Sequence, residues 1–413
     1  MNLIFDWLMR DNHYISIIGI VTIIGFAWLC SSSRWNVRLR LIGSALLLQF
    51  LLAFFILKTS IGQVVFSGLA SGFQCVYQFA DKGCAFVFGN LADASAPWGF
   101  VFAVKVLPII IFFGALMSLL FHLGVVQILV KCIAFAIRPI LGTSGAETLS
   151  VAANSVLGQT EAPLLIKNYL PRMTNSEMTT VMVSGMAHLS GSILAVYGLM
   201  GVPIIHLLSA SVMAIPGAIL ISKILTPETE TPETMGGQTV NVPADTKNIL
   251  DAISSGTSDG LKLAVNVAAM LIAFISLMAM VDAIICGVTG LFLTEGLTLN
   301  VIFAKLFYGV AHLIGIPTGD CQAAGTLLGQ KLVINEFVAY SNMIKTALTS
   351  RSVAILTYAI AGFSNFSCIG IQIGGIGAIC PSKRETLTKL GMRALLGGTL
   401  ANLLNAAIAS LFI

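Results

Sequence analysis

Eight long apolar stretches restrict what this sequence can fold into, because each is long enough to cross a membrane. A helix of roughly 20 apolar residues, or slightly fewer, spans the hydrocarbon core of a bilayer. Only 10% of the residues are charged, whereas soluble proteins carry about 25%. The sequence therefore predicts an all-α polytopic membrane protein, with spans at 14–30, 41–57, 106–130, 178–199, 202–222, 264–281, 353–380 and 395–413.

The remaining composition excludes several other classes. The first apolar stretch is longer than the core of a secretory signal, and no small-residue cleavage pattern follows it, so we expect a retained helix. The eight cysteines are scattered without a CxxC pair, which argues against a disulfide framework or a zinc site. The net charge of +4 is too small to indicate a nucleic-acid partner.

The basic residues predict the orientation, since lysine and arginine favour the cytoplasmic side of short loops. If the loop after the first span lies on the cytoplasmic side of the membrane, both termini are predicted to lie on the outer side. The acidic segment 227–245 then falls inside, and its Pro, Thr and Glu content indicates a flexible linker. The basic residues used are Arg34, Arg38, Arg40, Lys131, Arg138, Lys167, Arg172, Lys383, Arg384, Lys389 and Arg393.

Two further segments, 141–170 and 316–343, are each about one crossing long and carry a polar break near the middle. This pattern favours re-entrant hairpins, which occur only where protein or a water-filled cavity shields the open backbone. The alternative is two ordinary kinked spans.

The two halves of the chain repeat one pattern. Glu161 ends the first predicted hairpin, and His188 lies 27 residues further on in a Gly/Ser-interrupted span. Glu336 ends the second, and Asn365 lies 29 residues further on in a similar span. Hairpins that open from opposite sides, each followed by a broken helix, are typical of inverted-repeat transporters with a midplane binding site.

This pattern divides the chain into scaffold and mobile transport parts. Residues 1–135 are predicted to be scaffold helices and 136–225 the first transport repeat. Residues 226–315 hold the linker, an interfacial helix and a scaffold span, and 316–413 form the second repeat. The mixed segment 61–88 is predicted as an interfacial amphipathic helix with a loop.

The carboxylates of Glu161 and Glu336 are the strongest candidates for a binding site. A carboxylate at the middle of a membrane costs about 2.5–3.5 kcal/mol on insertion scales, so it normally faces a cavity or a partner. The alternative is that both only cap helices, or pair with Lys167 and Lys331. For the carboxylates at the hairpin starts, Glu147 and Asp320, capping is the expected role.

Three segments carry a family resemblance: GQTEAP at 158–163, NEFVAY at 335–340 and GFSNFSCIGI at 362–371. Together with the basic first loop and GTLANLL at 398–404, they resemble the concentrative nucleoside transporters, most closely the bacterial, eight-span members. The resemblance implies a trimer in the bacterial inner membrane, with nucleosides carried by an elevator-like movement of the transport domain.

The resemblance also implies a substrate site and a sodium site. The nucleobase would be contacted by Gln159, Thr160 and Glu161. The ribose hydroxyls would be bound by Glu336 and Asn365. Phe363 and Leu263 would pack on the faces of the base, and Ile193 would line the pocket. Sodium as coupling ion would be held by the side chain of Asn154 and by carbonyls. The implied substrate residues are Gln159, Thr160, Glu161, Ile193, Leu263, Glu336, Phe363, Asn365 and Cys368, and the implied sodium ligands are Asn154, Leu157, His188 and Leu189.

Two positions depart from the family pattern. Cys368 stands where the family has serine, and a thiol is a weaker hydrogen-bond donor than a hydroxyl. His188 stands where the family has a small hydroxyl residue, which places a titratable group beside the implied ion site and keeps proton coupling as an alternative to sodium.

The residue chemistry supports a nucleoside independently. A carboxylate accepts hydrogen bonds from both hydroxyls of a vicinal diol, and an amide pairs with a base edge that offers a donor and an acceptor. A free phosphate would require clustered Arg or Lys, which neither polar segment contains. The alternatives are a carrier for another neutral polar solute, a channel, and an intramembrane enzyme, for which no HExxH or Asp-rich motif is present.

Overall fold

The computed structural model describes residues 13–93, 97, 101–235, 247–291 and 297–413, which are helical and contain no strand. This confirms the predicted all-α class. The helices are α1 (His13–Leu29), α2 (Leu39–Lys58), α3 (Ser60–Phe88), α4 (Phe102–Lys105), α5 (Leu107–His122), α6 (Val125–Leu141), α7 (Gly145–Asn154), α8 (Asn175–Ala187), α9 (Gly191–Leu199), α10 (Ile204–Leu225), α11 (Ile249–Gly290), α12 (Leu299–Leu313), α13 (Cys321–Val333), α14 (Glu336–Met343), α15 (Ser350–Ile360), α16 (Phe366–Ile379) and α17 (Arg384–Ala409).

The apolar stretches fold as helices of membrane-crossing character. Within the described residues, five helical segments are long and apolar enough to span a bilayer: Leu39–Lys58, Phe102–His122, Asn175–Leu199, Ile204–Leu225 and Ile249–Gly290. Three shorter apolar helices are α1, α12 and α16. The chain is therefore a polytopic membrane protein.

The third predicted span was too long. The helix does not continue to residue 130, because α5 ends at His122 and Gly124 adopts a left-handed conformation with φ of 80°. Glycine reaches this region without a steric penalty, so the chain turns there and α6 begins. The turn was hidden in the sequence because apolar residues continue into α6.

Segment 61–88 also differs from its prediction, since α3 is one continuous helix without a loop. Its buried residues recur on one face, as expected of an amphipathic helix. Of the predicted linker 227–245, residues 236–245 lie outside the described part of the chain.

The fourth and seventh predicted spans are broken helices, as expected. The first break, 188–190, separates α8 from α9, and the second, 361–365, separates α15 from α16. Gly362 in the second break has a φ of 133°, a backbone conformation that residues other than glycine rarely adopt.

Both re-entrant hairpins are present. In hairpin 1, α7 packs against a returning 3₁₀-helix, Ala162–Ile166. In hairpin 2, α13 packs against α14. Glu161 and Glu336 lie at the turns where the returning arms begin, so the expectation that they end the hairpins was wrong. The polar residues of the turns are what stop the first arms.

The same order of elements occurs in both halves: a helix (α6 or α12), a hairpin, a broken helix (α8–α9 or α15–α16) and a long helix (α10 or α17). Matching caps fix the register of this repeat. Thr174 caps α8 as Thr349 caps α15, and Ser190 caps α9 as Asn365 caps α16. Ser190 follows Glu161 by the same 29 residues that separate Asn365 from Glu336. The structural counterpart of Asn365 is therefore Ser190 rather than His188.

Helices α5 and α11 form a tightly packed pair. A Cβ atom built on Gly256 would lie 2.5 Å from the carbonyl oxygen of Gly114, and one built on Gly260 would lie 2.8 Å from the Cα atom of Ile111. Small residues allow such close backbone approach in membranes, where packing drives helix association.

Helices α1 and α2 are held to the long helices of both halves, α10 and α17, by buried polar contacts. Gln49 on α2 donates to the side-chain oxygen of Asn405 on α17 at 2.7 Å and to the carbonyl of Met213 on α10 at 3.3 Å. The hydroxyl of Ser410 donates to that of Ser16 on α1 at 2.7 Å.

We expect Gly256→Ala to lower the stability of the protein. The new methyl group would overlap the backbone of α5, and overpacking of this kind costs about 1–3 kcal/mol. Gly287→Ala on the same helix is the matched control, because a Cβ atom there meets nothing within 4 Å. Thermal unfolding of the purified variants in detergent tests this; equal melting temperatures for the two would contradict the packing described.

Candidate functional site

The two broken helices cross at their breaks. A Cβ atom on Gly362 would lie 2.7 Å from the carbonyl oxygens of both Met186 and Ala187, at the end of α8. A Cβ atom on Gly398 of α17 would lie 2.7 Å from the Cβ atom of Met186. Glycine at these positions lets the unwound segments touch, and the polar residues that follow each break are thereby brought to one place.

Glu336 lies beside this crossing, with only 6% of its surface exposed. One carboxylate oxygen accepts a hydrogen bond from the Tyr197 hydroxyl of α9 at 2.9 Å, and the other accepts one from the side-chain amide of Asn365 at 3.2 Å. Hairpin 2 therefore contacts both broken helices through a single carboxylate. Since a carboxylate has about four lone-pair sites, Glu336 retains capacity for two further donors.

Asn365 connects Glu336 to the N-terminus of α16. Its side-chain oxygen caps this helix by accepting from the backbone N–H of Cys368 at 3.1 Å and from the Ser367 hydroxyl at 2.7 Å. These bonds orient the amide so that its NH₂ group faces Glu336. A capped half-helix N-terminus offers further N–H groups to the oxygens of a ligand.

Gln159 brings hairpin 1 to the same helix. Its amide nitrogen lies 3.4 Å from the sulfur of Cys368, and its oxygen accepts from the side chain of Gln372 at 3.1 Å. Gln372 also donates to the Met182 carbonyl at 3.0 Å. Gly185 makes room for this arrangement, since a Cβ atom there would lie 2.6 Å from the Gln372 nitrogen. The two polar segments predicted from the sequence thus meet across the first turns of α16.

The two residues that follow Gln159 in the turn of hairpin 1 are more exposed than Gln159 itself. Thr160 and Glu161 are exposed, and the Glu161 carboxylate accepts from the backbone N–H of Gly158 at 3.3 Å. Thr160 packs toward α16, where a Cβ atom on Gly375 would lie 2.9 Å from its methyl carbon. Both side chains can therefore contact a ligand held against α16.

The three predicted apolar contacts differ in their placement. Ile193 is buried in the first turn of α9, and Phe363 is half-buried in the second break. Leu263 is 37% exposed on α11. The α11 residues that pack near the hairpin 2 turn are Val267, Leu271, Phe274 and Met278.

The predicted sodium ligands contain unsatisfied oxygens. Asn154 is buried at the end of α7, and its amide donates to the Ser150 carbonyl at 3.1 Å, while its side-chain oxygen has no hydrogen-bond partner. The Ser150 hydroxyl is also unpartnered. Hydrogen bonds among the described residues use none of the carbonyl oxygens of Leu157, His188 and Leu189.

Hairpin 1 holds these oxygens against the first break. The backbone N–H of Gly191 donates to the Val156 carbonyl at 3.0 Å, and a Cβ atom on Gly158 would lie 3.7 Å from the Cβ atom of Ser190. A buried polar oxygen without a donor is costly unless a cation or water satisfies it. A set of neutral oxygens in a broken helix is the ligand type that sodium takes, so the residues fit the ion.

His188 lies at the end of α8 and is 2% exposed. Its Nδ1 atom lies 2.8 Å from the Ser184 carbonyl, which requires the proton to be on Nδ1. The Nε2 atom of this tautomer is an acceptor, and it has no partner among the described residues.

The alternative that Glu336 pairs with Lys331 can be tested on the structure. Lys331 forms no ion pair with Glu336 among the contacts of the described residues; its ammonium instead donates to the Ala359 carbonyl at 3.5 Å and to the Ser364 hydroxyl. Glu147 forms the predicted cap with Ser144 at 2.8 Å. Asp320 does not cap its own helix, because its carboxylate accepts from the backbone and hydroxyl of Thr349 at the start of α15.

A buried ionic cluster supports the base of hairpin 1. The ammonium of Lys223 on α10 lies 2.7 Å from the Glu147 carboxylate and 3.5 Å from that of Glu228. Ser144 donates from its hydroxyl to Glu177 on α8 at 2.5 Å. The cluster therefore ties the hairpin to the two helices behind it.

Sequence reasoning missed three residues of this site. Tyr197 contacts Glu336, Gln372 contacts Gln159, and Ser190 caps the second half of the first broken helix. Ser190 could have been found from its spacing, which repeats that of Asn365. Tyr197 and Gln372 had no such signal, because each stands among apolar neighbours in a mainly apolar helix.

Family comparisons cover nearly all of the chain. A family model described as the N-terminus of Na⁺ dependent nucleoside transporters matches residues 18–91, and one described as nucleoside recognition matches 103–204. The corresponding C-terminal model matches residues 206–410.

Relatives and solved structures that match over nearly their whole length agree with these family matches. An uncharacterised transporter of Haemophilus influenzae is 43% identical, over 96% of this chain and 97% of its own. The nucleoside permease NupC of Helicobacter pylori is 39% identical, over 98% of this chain and 99% of its own. CNTnw in an inward-facing substrate-bound state has a TM-score of 0.91 at 40% identity, covering 97% of each chain. A CNTnw variant in an outward-facing state also has a TM-score of 0.91, at 39% identity over 98% of each chain.

We expect Lys223→Met to destabilise the protein by about 3–5 kcal/mol, since removing one partner leaves a buried charge uncompensated. The double variant Glu147→Gln with Lys223→Met should recover part of this loss. Lys262→Met, which breaks an exposed pair with Asp259, is the matched control and should have little effect. Thermal unfolding in detergent distinguishes them; a Lys223→Met variant as stable as Lys262→Met would show that the buried pair contributes nothing.

Proposed function

Since this chain belongs to the Na⁺-dependent nucleoside transporter family, we propose that it imports nucleosides by symport with sodium. It is a transporter and not an enzyme. The inward- and outward-facing states of the similar transporter CNTnw support alternating access for this chain as well.

The observation that carries the substrate proposal is the environment of Glu336. Its two oxygens are held by Tyr197 and Asn365, and each retains a lone pair for a further donor. Two adjacent hydroxyls are the donors that such a carboxylate accepts best. We therefore assign the ribose diol to Glu336 and Asn365.

The nucleobase is assigned to the turn of hairpin 1, which contacts α16. There Gln159 offers an amide, Thr160 a hydroxyl and Glu161 a carboxylate. The partners of Gln159, which are Cys368 and Gln372, lie on α16 itself. Ile193, Phe363 and Leu263 would provide the apolar faces. The ammonium of Lys331 is already engaged within the second break, so no free cation is available there for a phosphate, which favours nucleosides over nucleotides.

Sodium is the coupling ion that the family description supports. The finer proposal is that the ion binds between hairpin 1 and the first break, with the side-chain oxygen of Asn154 and the carbonyls of Leu157, His188 and Leu189 as ligands. The unpartnered buried oxygens at this place are the support for it.

A second candidate is proton coupling through His188, favoured by its unpartnered Nε2 atom inside the protein. This atom could take up the coupled proton if sodium were not required. The two candidates place the coupling ion at the same break, and they differ in which side chain is indispensable.

For the movement we propose an elevator-type change in a homotrimer. The pair α5 and α11 would form the scaffold, because α11 is mostly exposed in the single chain and offers an apolar surface to other protomers. We move α1 and α2, expected in the scaffold from the sequence, into the mobile part, since sliding would break the buried bonds of Gln49 to Asn405 and Met213. The boundaries 136–225 and 316–413 for the two repeats are retained.

The protein is a membrane protein, and its bacterial relatives support a bacterial inner membrane as its location. We retain the proposal, based on the basic loops, that both termini lie outside.

We expect Glu336→Gln to nearly abolish nucleoside binding. The carboxylate accepts two hydroxyl hydrogens, and hydrogen bonds to charged groups contribute about 1.5–3 kcal/mol each. An amide accepts from one hydroxyl and presents a donor to the other. Calorimetric titration of the purified variant with uridine measures the effect, and near wild-type affinity would refute the ribose assignment.

Two companion measurements separate the ribose role from general damage. The 2′-deoxy and 3′-deoxy forms of uridine should both bind more weakly than uridine to the unaltered protein. Tyr197→Phe should weaken binding, because it removes a donor that orients Glu336, whereas Tyr340→Phe should not, because the Tyr340 hydroxyl donates to the Thr357 carbonyl. Equal binding of all three nucleosides would place the diol elsewhere.

Sodium coupling is tested by uptake of labelled uridine into vesicles, with and without a sodium gradient. Asn154→Leu should raise the sodium requirement steeply because it removes a side-chain ligand, and His188→Ser should leave sodium dependence intact because the carbonyl of residue 188 remains. If proton coupling operates instead, His188→Ser removes the pH dependence of uptake and replacing sodium with choline changes little. Uptake that is indifferent to sodium at fixed pH would refute the sodium proposal.

A further inference from the structure

Gln372 of α16 is a buried amide that none of the proposed substrate contacts uses. It is 0% exposed, and it lies four residues after Cys368, so the two side chains project from the same face of the helix. Its amide nitrogen donates to the Met182 carbonyl of α8 at 3.0 Å and to the side-chain oxygen of Gln159 at 3.1 Å. One side chain therefore joins α16 to the first broken helix and to the turn of hairpin 1.

The Met182 carbonyl fixes the direction of the Gln372 amide. A backbone carbonyl can only accept a hydrogen bond, so the part of Gln372 that faces it must be the NH₂ group. The reversed amide would set two oxygen atoms against each other. The Gln372 oxygen has no hydrogen-bond partner among the described residues, so its two donor bonds alone determine its orientation.

The Gln372 amide in turn fixes the direction of the Gln159 amide. Because the NH₂ group of Gln372 also faces Gln159, the Gln159 atom at this contact must be the oxygen. The NH₂ group of Gln159 is therefore turned away from Gln372, and its nitrogen lies 3.4 Å from the sulfur of Cys368. Sulfur is a weak acceptor, so an oxygen of the substrate can replace it at little cost. Gln159 thus offers a donor to a bound base.

Close packing leaves the two amides little room to turn. A Cβ atom built on Gly185 would lie 2.6 Å from the Gln372 nitrogen and 3.0 Å from the Cβ atom of Gln159. Both side chains are therefore packed against the backbone of α8, and Gln159 is only 8% exposed. A glutamine held in this way offers one hydrogen-bonding pattern to a ligand, whereas a free one could offer either of two.

We propose that Gln372 is a specificity-determining residue, which positions the Gln159 amide so that the site selects pyrimidine nucleosides with a carbonyl oxygen at position 4 of the base. The ribose is assigned to Glu336 and Asn365, which leaves the turn of hairpin 1 for the part of the ring opposite the sugar bond, where position 4 lies. Uracil carries an acceptor there, whereas the amino group of cytosine would set a donor against the Gln159 donor. This inference rests on the proposed function and on its placement of the base.

The experiment measures the binding of uridine, cytidine and the riboside of pyrimidin-2-one, which has no group at position 4, by calorimetric titration of the purified protein. The unaltered protein should bind uridine roughly three- to tenfold more tightly than either of the others, which is the range for one neutral hydrogen bond. In Gln372→Met the Gln159 amide can turn to suit either base, so the ratio of uridine to cytidine affinity should fall to about one.

The matched control is Gln127→Met, which makes the same replacement on α6. Gln127 is a half-buried amide that donates to the Phe121 carbonyl at 2.7 Å, and its oxygen also lacks a partner among the described residues. It should leave the affinity ratio of the unaltered protein unchanged. Melting temperatures in detergent establish that each variant is folded.

A double variant separates positioning from a general structural role. If Gln372 acts through Gln159, then Gln372→Met should not change the affinity ratio further once Gln159 is replaced by methionine. A purely structural role would weaken the binding of both nucleosides equally and preserve the ratio. If Gln372→Met does not fold, Gln159→Met carries the test, because loss of the fixed donor should also bring the ratio to about one.

The outcomes distinguish this proposal from the proposed function. A folded, unaltered protein that binds none of the three nucleosides would refute nucleoside transport itself. Equal affinity of the unaltered protein for uridine and cytidine would overturn the Gln372 proposal alone. An unchanged ratio in a folded Gln372→Met variant, or in Gln159→Met where that variant replaces it, would do the same.

Discussion

The open backbone at the two helix breaks is the constraint on which the rest of this structure depends. Inside a bilayer there is no water to satisfy free N–H and C=O groups, so non-helical backbone persists only where protein surrounds it. Here each break is covered by the other and by a hairpin turn: Gly362 contacts the end of α8, and Gly191 donates to Val156. The proposed substrate and ion sites are consequences of this covering, because both consist of groups that the breaks leave available.

The inverted repeat explains why both proposed sites lie at the same place. Two copies of one motif bring two half-helix N-termini, capped by Ser190 and Asn365, to a common region. The copies have then diverged in the residues at the turns. Glu336 is buried among donors, whereas Glu161 is exposed with one backbone N–H as its partner. One half can therefore hold a sugar diol firmly, while the other offers more open polar groups to a base.

Much of the fold could be predicted because lipid imposes a simple rule on sequence: uncharged stretches cross the membrane, and polar interruptions mark breaks. The hairpins and both broken helices followed from this rule, whereas the resemblance alone placed Gln159 and Cys368 in one site. The end of α5 at His122 did not follow from the rule, since the turn at Gly124 lies within continuous apolar sequence. The role of Asp320 and the place of Tyr197 were also out of reach, because each depends on a partner from a distant helix.

The buried charges show a division of labour that the motifs alone do not reveal. Lys223 neutralises carboxylates at the base of hairpin 1, whereas the contacts that Lys331 makes with the described residues are to neutral oxygens of the second break. A lysine paired with Glu336 would have occupied its lone pairs and competed with the hydroxyls of a substrate. Placing the ammonium on the carbonyl end of α15 avoids this competition while keeping a positive charge close to the carboxylate. Glu336 can then stay in the membrane, satisfied by Tyr197 and Asn365, and still accept a neutral diol.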